Sequence, residues 1–312
     1  MPTNDFATGD HLGFIAGKRG EPRLLVRHRP GPGPSVLYVH GATFPSALSV
    51  AYRFEGRSWM DDLHARGFDA WAFDFAGYGG SERPHEFTQD PTGLQPCCRV
   101  RQAADQLARV VAHIGAANGK PRLSLLAHSW GTMVASAYAM HHPERVDRLA
   151  LFGPIARRNL PGLPAAESLG AWQLMTVTAQ LKRFVEDVPP GHPPVLIEPD
   201  LRLWGPAYLA TDPAWQTYAG GPAVKIPTGP QADILAAWSG DFPYDPAAIS
   251  APVLIVRGAW DSLATDEDAS LLMSRFAATQ KRDVKVPKAT HLMHLEQGRE
   301  GLFEAVGDFL AA

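Results

Sequence analysis

The sequence predicts an α/β fold: a mostly parallel sheet with helices on both faces. Short runs that are apolar at nearly every position alternate with longer segments of helical spacing. Such alternation is typical of parallel sheets, and continuous apolar runs indicate strands buried on both faces. With 312 residues the chain is long enough for one large domain that carries an insertion.

The strands and helices can be placed in order along the chain. The central strand candidates are residues 35–41, 70–75, 123–127, 149–152 and 253–257, and residues 283–286 follow as the last strand. Residues 12–16 and 23–28 predict a leading antiparallel hairpin at the sheet edge. Helices are predicted over residues 57–66, 100–117, 130–142, 266–278 and 301–310.

The alternation breaks between about residues 153 and 250, where proline and glycine are dense. A structureless loop of this length would be implausible in a compact protein, so we expect a cap of helices and ordered loops. Its predicted helices cover residues 172–188 and 231–238. The core domain is then expected over residues 1–153 and 251–312, and the cap over residues 154–250.

Composition narrows the classes of function. The chain has 29 basic and 32 acidic residues, a formal charge of -3 and no long run of one sign, so a nucleic-acid partner is not expected. No signal peptide and no apolar run near the roughly 18 residues of a membrane span is visible. We therefore expect a cytoplasmic protein without a membrane partner, as a monomer or a homodimer.

Cys97 and Cys98 are adjacent, which disfavours a disulfide between them and predicts two reduced thiols.

The most informative stretch is Ala127-His128-Ser129-Trp130-Gly131. A serine stands between small residues at the point where an apolar run gives way to a helical pattern. This is the pattern of a nucleophile elbow, a sharp turn in which the serine adopts a strained backbone and bulky neighbours would collide. Taken alone, Ser129 could also be an ordinary helix N-cap.

A serine nucleophile needs a base, and the base needs an orienting carboxylate. Asp261 and His291 each follow a predicted strand, so both belong at the sheet edge where Ser129 emerges. Singly, Asp261 could close a turn and His291 could be a half-buried surface residue. Together, in this order, they predict a catalytic triad. Asp266 and His294 are the alternative acid and base, although both lie further into the following helices.

Two backbone amides are predicted to form the oxyanion hole. Trp130 directly follows the nucleophile at a helix N-terminus, and Ala42 lies in the turn after residues 35–41. His40, at the strand end, is expected to organise this turn. No metal site is predicted, since the histidines and acids lack the spacing of a zinc motif.

These motifs together resemble the α/β-hydrolase superfamily. They are His40-Gly41-Ala42, residues 74–81, residues 127–131, residues 257–261 and Thr290-His291. The resemblance implies eight strands, a cap inserted after the sixth, the triad of Ser129, Asp261 and His291, and a structural loop at residues 74–81. The tryptophan directly after the nucleophile, Trp130, resembles the arrangement in haloalkane dehalogenases. Those enzymes carry aspartate at the position of Ser129, however, which argues against an alkyl-enzyme mechanism.

Aromatic residues in the cap and beside the triad favour a substrate with an apolar or aromatic part, although they could equally build the cap's own core. The candidate substrate-binding residues are Thr43, Phe44, Trp260, Trp172 and Trp204. Arg53 and Arg57 could meet a substrate carboxylate, with surface ion pairing as the alternative. Residues 41–63 loosely resemble small bacterial ester hydrolases such as those that cleave monoalkyl phthalates.

The predicted function is therefore a serine carboxylic-ester hydrolase that forms an acyl-enzyme, needs no cofactor and acts on a small-molecule ester. Proline iminopeptidases, carbon-carbon hydrolases and lactonases use the same triad and stay as alternatives. A peptidase would need an acidic cluster in the cap, for which the candidates are Glu186, Asp187, Glu198, Asp200 and Asp212. A ligand receptor that retains a hydrolase triad is the alternative outside enzymes; it predicts a single turnover, whereas an esterase turns over steadily.

Overall fold

A computed structural model describes residues 9–18, 20–197 and 201–312 of the chain. Its strands are β1 (His11–Ile15), β2 (Leu24–Arg29), β3 (Ser35–Val39), β4 (Asp69–Phe73), β5 (Leu123–His128), β6 (Val146–Phe152), β7 (Trp172–Met175), β8 (Val224–Pro227), β9 (Val253–Gly258) and β10 (Lys281–Val286). Its α-helices are α1 (Trp59–Ala65), α2 (Val100–Asn118), α3 (Trp130–His141), α4 (Val177–Val185), α5 (Leu201–Leu209), α6 (Gly229–Trp238), α7 (Asp266–Arg275) and α8 (Arg299–Ala311).

Eight of these strands form one sheet in the order β1-β2-β4-β3-β5-β6-β9-β10. β2 pairs antiparallel with β1 and with β4, and the other pairs in this sheet are parallel. The mostly parallel eight-stranded sheet and its edge hairpin are thus confirmed. Strand β3 ends at Val39, two residues earlier than predicted, because His40 and Gly41 already belong to the following turn.

The core lies on both faces of the sheet. Alternate residues of β3 enter opposite clusters: Leu37 and Val39 pack with α2 and α3, whereas Val36 and Tyr38 pack with α1 and α8. This separation follows from the two-residue period of a strand. Trp204 of the cap belongs to the same cluster as Leu37, so the cap extends the core on the face of α2 and α3.

The inserted segment lies between β6 and β9, after the sixth strand, as predicted. Residues 172–175 are a strand and not the start of a helix: β7 pairs antiparallel with β8, and α4 begins only after Thr176, whose side chain accepts from the Ala179 amide at 3.1 Å. α5 was not predicted, because Pro206 inside it breaks the expected helical pattern. The cap therefore combines three α-helices with a two-stranded sheet within the described residues.

The cysteine prediction is confirmed: Cys97 and Cys98 are both free and buried. Among the helices that the structure describes, none has the length and apolar character needed to cross a membrane.

Candidate active site

Ser129 occupies the sharp turn between β5, which ends at His128, and α3, which begins at Trp130. Its backbone has φ 54° and ψ −127°, a conformation that residues other than glycine rarely adopt. The turn is fixed because the Ser129 amide donates to the Phe152 carbonyl at 2.9 Å and the Thr132 side chain donates to the Ser129 carbonyl at 2.6 Å. The expected strained elbow is therefore present.

Gly131 shows why the elbow needs a small residue after the serine. A Cβ added to Gly131 would lie 2.4 Å from the carbonyl oxygen of His40 and 2.6 Å from that of Val39. The obstacle is the backbone at the end of β3, which cannot move aside without disturbing the sheet. Close packing of β3 against α3 thus fixes the elbow next to the turn that follows β3.

The structure brings the three predicted triad residues together. His291 Nε2 lies 2.8 Å from Ser129 Oγ, and His291 Nδ1 lies 2.9 Å and 3.0 Å from the two carboxylate oxygens of Asp261. All three side chains are buried. With Nδ1–H donating to Asp261, Nε2 can accept the hydroxyl proton of Ser129, which is the arrangement that general-base activation requires.

Asp261 is itself held by the backbone. Its Oδ1 accepts from the amides of Leu263 at 2.9 Å and Ala264 at 3.1 Å. These two hydrogen bonds hold the carboxylate in place independently of its contact with His291. Gly153, which follows β6, makes room for this pair: an added Cβ would lie 2.9 Å from His291 Nδ1, and Gly153 has φ 55°. We did not predict a role for Gly153; its signal was a glycine directly after a strand.

A buried carboxylic acid braces the loop that carries His291. Glu296 accepts hydrogen bonds from the amide of Thr290 at 3.3 Å and from the Thr290 hydroxyl, and Thr290 Oγ1 in turn accepts from the Leu292 amide at 3.2 Å. Burial raises the pKa of Glu296 to about 7. Sequence reasoning missed this acid.

Two further histidines lie behind the triad. His128 Nε2 donates to the His291 carbonyl at 3.1 Å, and the ring of His294 lies 4.7 Å from that of His128. Burial lowers the pKa of His128 and takes that of His294 to about 3, so both rings are neutral. The alternative base His294 thus packs behind the site. The alternative acid Asp266 pairs with Lys285 at 2.9 Å.

The oxyanion turn lies against the elbow. A Cβ added to Gly41 would lie 3.0 Å from Ser129 Cβ, which brings the adjacent Ala42 close to the nucleophile. His40 organises the turn as expected: its Nδ1–H donates to the Gly41 carbonyl at 2.7 Å, and its Nε2 accepts from the Phe75 amide at 3.0 Å. The donor roles of the Ala42 and Trp130 amides stay predictions.

The loop at residues 74–81 is structural, in agreement with the resemblance. Asp74 Oδ1 accepts from the amide of Ser46 at 2.9 Å and from its hydroxyl at 2.6 Å, and Asp74 Oδ2 accepts from the Gly80 amide at 3.1 Å. This buried carboxylate ties the segment after the oxyanion turn to the end of β4.

Trp130 is joined to the cap. Its indole N–H donates to Asp233 Oδ2 at 2.9 Å, and Asp233 comes from α6. The same carboxylate accepts from the Val100 amide at 2.8 Å, at the start of α2, and from the Arg99 guanidinium. One cap residue therefore contacts the beginnings of two core helices.

Phe44 and Trp204 form part of the boundary between cap and core. Their rings lie 5.4 Å apart, centroid to centroid, and both also contact Phe184 of α4. Trp204 is fully buried, and its indole N–H donates to the Leu48 carbonyl at 3.0 Å. Trp204 therefore joins the cap to the core, and the substrate-binding roles of Trp204 and Phe44 stay predictions.

Trp260 and Trp172 contact residues of the described chain other than Phe44, Phe184 and Trp204. Trp260 is half-buried and its ring lies 4.8 Å from that of His192. Trp172 is not brought to the Phe44 aromatic group: its indole N–H donates to the Gln89 carbonyl at 3.0 Å, and the Lys225 ammonium lies 3.8 Å from its ring centroid. Trp172 instead packs against a small buried cluster that includes Phe87 and Cys97 of the core domain.

The arginines proposed for a substrate carboxylate are engaged in ion pairs. Arg53 binds Asp61 through two hydrogen bonds of 3.0 Å and 3.1 Å, and Arg57 binds Asp62 and Glu300. Both guanidinium groups thus bind carboxylates of this chain, which is what the alternative of surface ion pairing predicted.

The acidic residues considered for a peptidase do not form one cluster within the described chain. Asp212 accepts from the Tyr218 hydroxyl and the Lys225 amide at 2.8 Å each, whereas Asp187 accepts from the Ser262 amide at 3.3 Å. Glu186 is exposed at the end of α4. Two more candidates, Glu198 and Asp200, lie outside the described residues.

The buried Glu296 predicts a measurable pH dependence of stability. The folded protein keeps the Glu296 proton up to about pH 7, whereas the unfolded chain loses it near pH 4.5. The contribution of this group to the free energy of unfolding is thus full below pH 4.5 and falls as pH rises to 7, by about 3 kcal/mol in total. Glu296→Gln should remove this fall, which urea unfolding of both proteins at pH 5 and pH 8 will measure.

The matched control is Glu304→Gln, because Glu304 is an exposed glutamate on α8. This variant should follow the wild-type pH dependence. Parallel stability curves for the wild type and Glu296→Gln would contradict the assignment.

The chain matches a known protein family over most of its length. The family model described as alpha/beta hydrolase fold matches residues 34–297. Over 95 residues the chain is 36% identical to the (lyso)-N-acylphosphatidylethanolamine lipase of Mus musculus, a match that covers 30% of this chain and 25% of the lipase. The chain therefore spans about a quarter of the length of the curated relatives it matches.

Solved structures resemble nearly the whole chain. The thioesterase domain from the curacin biosynthetic pathway has a TM-score of 0.66 at 17% identity and covers 97% of this chain and 99% of its own. E-2-(acetamidomethylene)succinate hydrolase has a TM-score of 0.59 at 23% identity and covers 97% and 100%. At these identities the likeness shows a shared fold.

Proposed function

Because the chain belongs to the alpha/beta hydrolase fold family, we propose that it is a serine hydrolase that cleaves a carboxylic ester of a small, partly apolar or aromatic substrate. The observation that carries this proposal is the continuous hydrogen-bonded chain from Ser129 Oγ through His291 to Asp261. The name of the mouse relative, a lipase, supports an ester as the substrate.

In the proposed acylation step, His291 Nε2 takes the hydroxyl proton while Ser129 Oγ bonds to the ester carbonyl carbon. The carbonyl π electrons move to its oxygen, and the resulting oxyanion lies against the amides of Ala42 and Trp130. Removing one such donor typically costs roughly 3 kcal/mol of transition-state stabilisation. When the tetrahedral intermediate collapses, the carbon–oxygen ester bond breaks and His291 gives its proton to the leaving alcohol.

Deacylation repeats the same steps with water. His291 takes a proton from the water while the water oxygen bonds to the acyl carbon, which gives a second tetrahedral intermediate. The bond between the acyl carbon and Ser129 Oγ then breaks, and His291 returns the proton to Oγ as the acid leaves. Asp261 keeps its negative charge throughout, because its role is to hold Nδ1–H and to stabilise the imidazolium. In both steps of the proposed reaction, every proton moves between the substrate, water and residues of this chain.

Covalent labelling tests the proposal. A fluorophosphonate should react with the activated serine, so we expect one adduct per chain, located by mass spectrometry on the peptide that contains Ser129. Loss of p-nitrophenyl ester hydrolysis should follow the extent of labelling. Ser136→Ala is the matched control, because Ser136 is a buried serine on helix α3, which follows Ser129, and this variant should label like the wild type.

Two outcomes would contradict the proposal. A labelled Ser129→Ala protein would place the reactive group elsewhere. A single stoichiometric release of p-nitrophenol without steady turnover would favour the receptor alternative over an esterase.

A further inference from the structure

Two polar side chains of α4 bind the residue that follows the oxyanion turn. Gln180 Nε2 donates to Thr43 Oγ1 at 2.6 Å, and Arg183 Nη1 donates to the same oxygen at 3.2 Å. Thr43 has φ 77°, a strained conformation for a β-branched residue, and the turn before it packs against Ser129. These cap residues therefore adjoin the place where the ester carbonyl binds.

Three groups in this cluster have hydrogen-bonding capacity that no described residue uses. Arg183 has no carboxylate within ion-pair distance among the described residues, and Asp187, four positions later, accepts instead from the Ser262 amide. The Tyr208 hydroxyl and Gln180 Oε1 are buried and lack a hydrogen-bond partner within the described chain. An unsatisfied buried polar atom destabilises a folded protein, so several such atoms together point to a ligand-binding site.

Tyr208 borders the same cluster: its ring stacks on Trp204 with 5.1 Å between centroids, and Trp204 contacts Phe44, the residue after Thr43, at 5.4 Å. Burial raises the pKa of the Tyr208 hydroxyl, and the charge of Arg183 opposes this rise. The phenol therefore stays protonated and can donate. The guanidinium and the phenol O–H are both hydrogen-bond donors, and together they carry one positive charge. A ligand group that suits them is a hydrogen-bond acceptor with one negative charge.

We propose that Arg183 and Tyr208 form a subsite for a substrate carboxylate that lies a few bonds from the scissile ester. The substrate class is then a monoester of a dicarboxylic acid or an acylated hydroxy acid. A carboxylate fits better than a phosphate dianion, because one guanidinium supplies one charge and its planar N–H groups match a carboxylate. This inference rests on the proposed ester hydrolysis at Ser129.

The test compares substrates of matched size with and without the charge. The pairs are monoethyl glutarate with ethyl valerate for the acyl side, and 3-acetoxypropanoate with propyl acetate for the alcohol side. For the wild type we expect kcat/KM to favour the carboxylate member of at least one pair by about 10- to 100-fold, as hydrogen bonds to charged groups allow. Arg183→Gln should reduce that ratio to near one, mainly through KM, and Arg183→Lys should restore part of it.

Two further variants separate recognition from folding. Tyr208→Phe removes only the hydroxyl, leaves the ring to stack on Trp204, and should lower the ratio about three- to tenfold. Lys182→Gln removes an exposed positive charge from the same helix and should leave both kcat/KM values unchanged.

A wild type without preference in either pair would overturn the subsite. So would an equal loss on both members of a pair in Arg183→Gln, which would mean that the arginine only joins α4 to Thr43. If ethyl valerate and propyl acetate are hydrolysed in a Ser129-dependent way while the preference is absent, this inference alone fails. If no ester is hydrolysed through Ser129, the proposed function fails.

Discussion

The Ser129→Ala protein is expected to hydrolyse p-nitrophenyl esters about a million-fold more slowly in kcat than the wild type. The reason is that His291 Nε2, 2.8 Å from Ser129 Oγ, then has no nucleophile to activate. In serine hydrolases the loss of the nucleophile costs about as much as loss of the whole triad, on the order of 10⁶-fold in kcat. Steady-state hydrolysis at saturating substrate measures the effect.

A folded variant is needed for this result to be interpreted. Ser129 is buried, and its backbone contacts to Phe152 and Thr132 use no side-chain atom of Ser129, so alanine should preserve the elbow. The thermal unfolding midpoint should therefore stay near that of the wild type. A residual activity of a few per cent would show that another group in the protein carries the reaction.

Replacing Asp261 by asparagine should lower kcat by about 10⁴-fold, the second largest effect. Because Oδ1 accepts from the amides of Leu263 and Ala264, the asparagine oxygen should occupy that position and its NH₂ group should face His291 Nδ1. Nδ1 would then accept a hydrogen bond, and the proton would move to Nε2. His291 in this tautomer cannot accept the Ser129 proton, which is the source of the loss.

Asp266→Asn is the matched control, because this aspartate lies five residues further on, is itself exposed and forms ion pairs with Arg257 and Lys285. It should change kcat by less than about twofold, since exposed ion pairs contribute little even to stability. Similar losses in Asp261→Asn and Asp266→Asn would remove Asp261 from the proposed mechanism.

Much of the fold and the triad could be predicted because their signals are local. Ser129 lies in a short motif, and Asp261 and His291 each follow a recognisable strand. The supporting residues could not be predicted in this way. Glu296 and Gly153 act through contacts with residues of other elements, which the periodicity and local motifs of their own segments do not reveal.

The cap was predicted less well, again for physical reasons. Trp172 to Met175 suits either a helix or a strand, and the choice depends on pairing with β8, about fifty positions away. α5 contains Pro206, which sequence patterns treat as a helix breaker. The contacts of Gln180 and Arg183 with Thr43 span about 140 positions and depend on how the cap folds over the core.

The position of Asp233 bears on the design of chimeric hydrolases, in which caps are exchanged to change specificity. A transplanted cap without an acid at this position would leave the Trp130 indole N–H and the Val100 amide without their acceptor. Each unsatisfied buried donor would destabilise the recipient by roughly 1–3 kcal/mol. A successful exchange would therefore keep α6 with the recipient, or transfer Asp233, Trp130 and Arg99 as one unit.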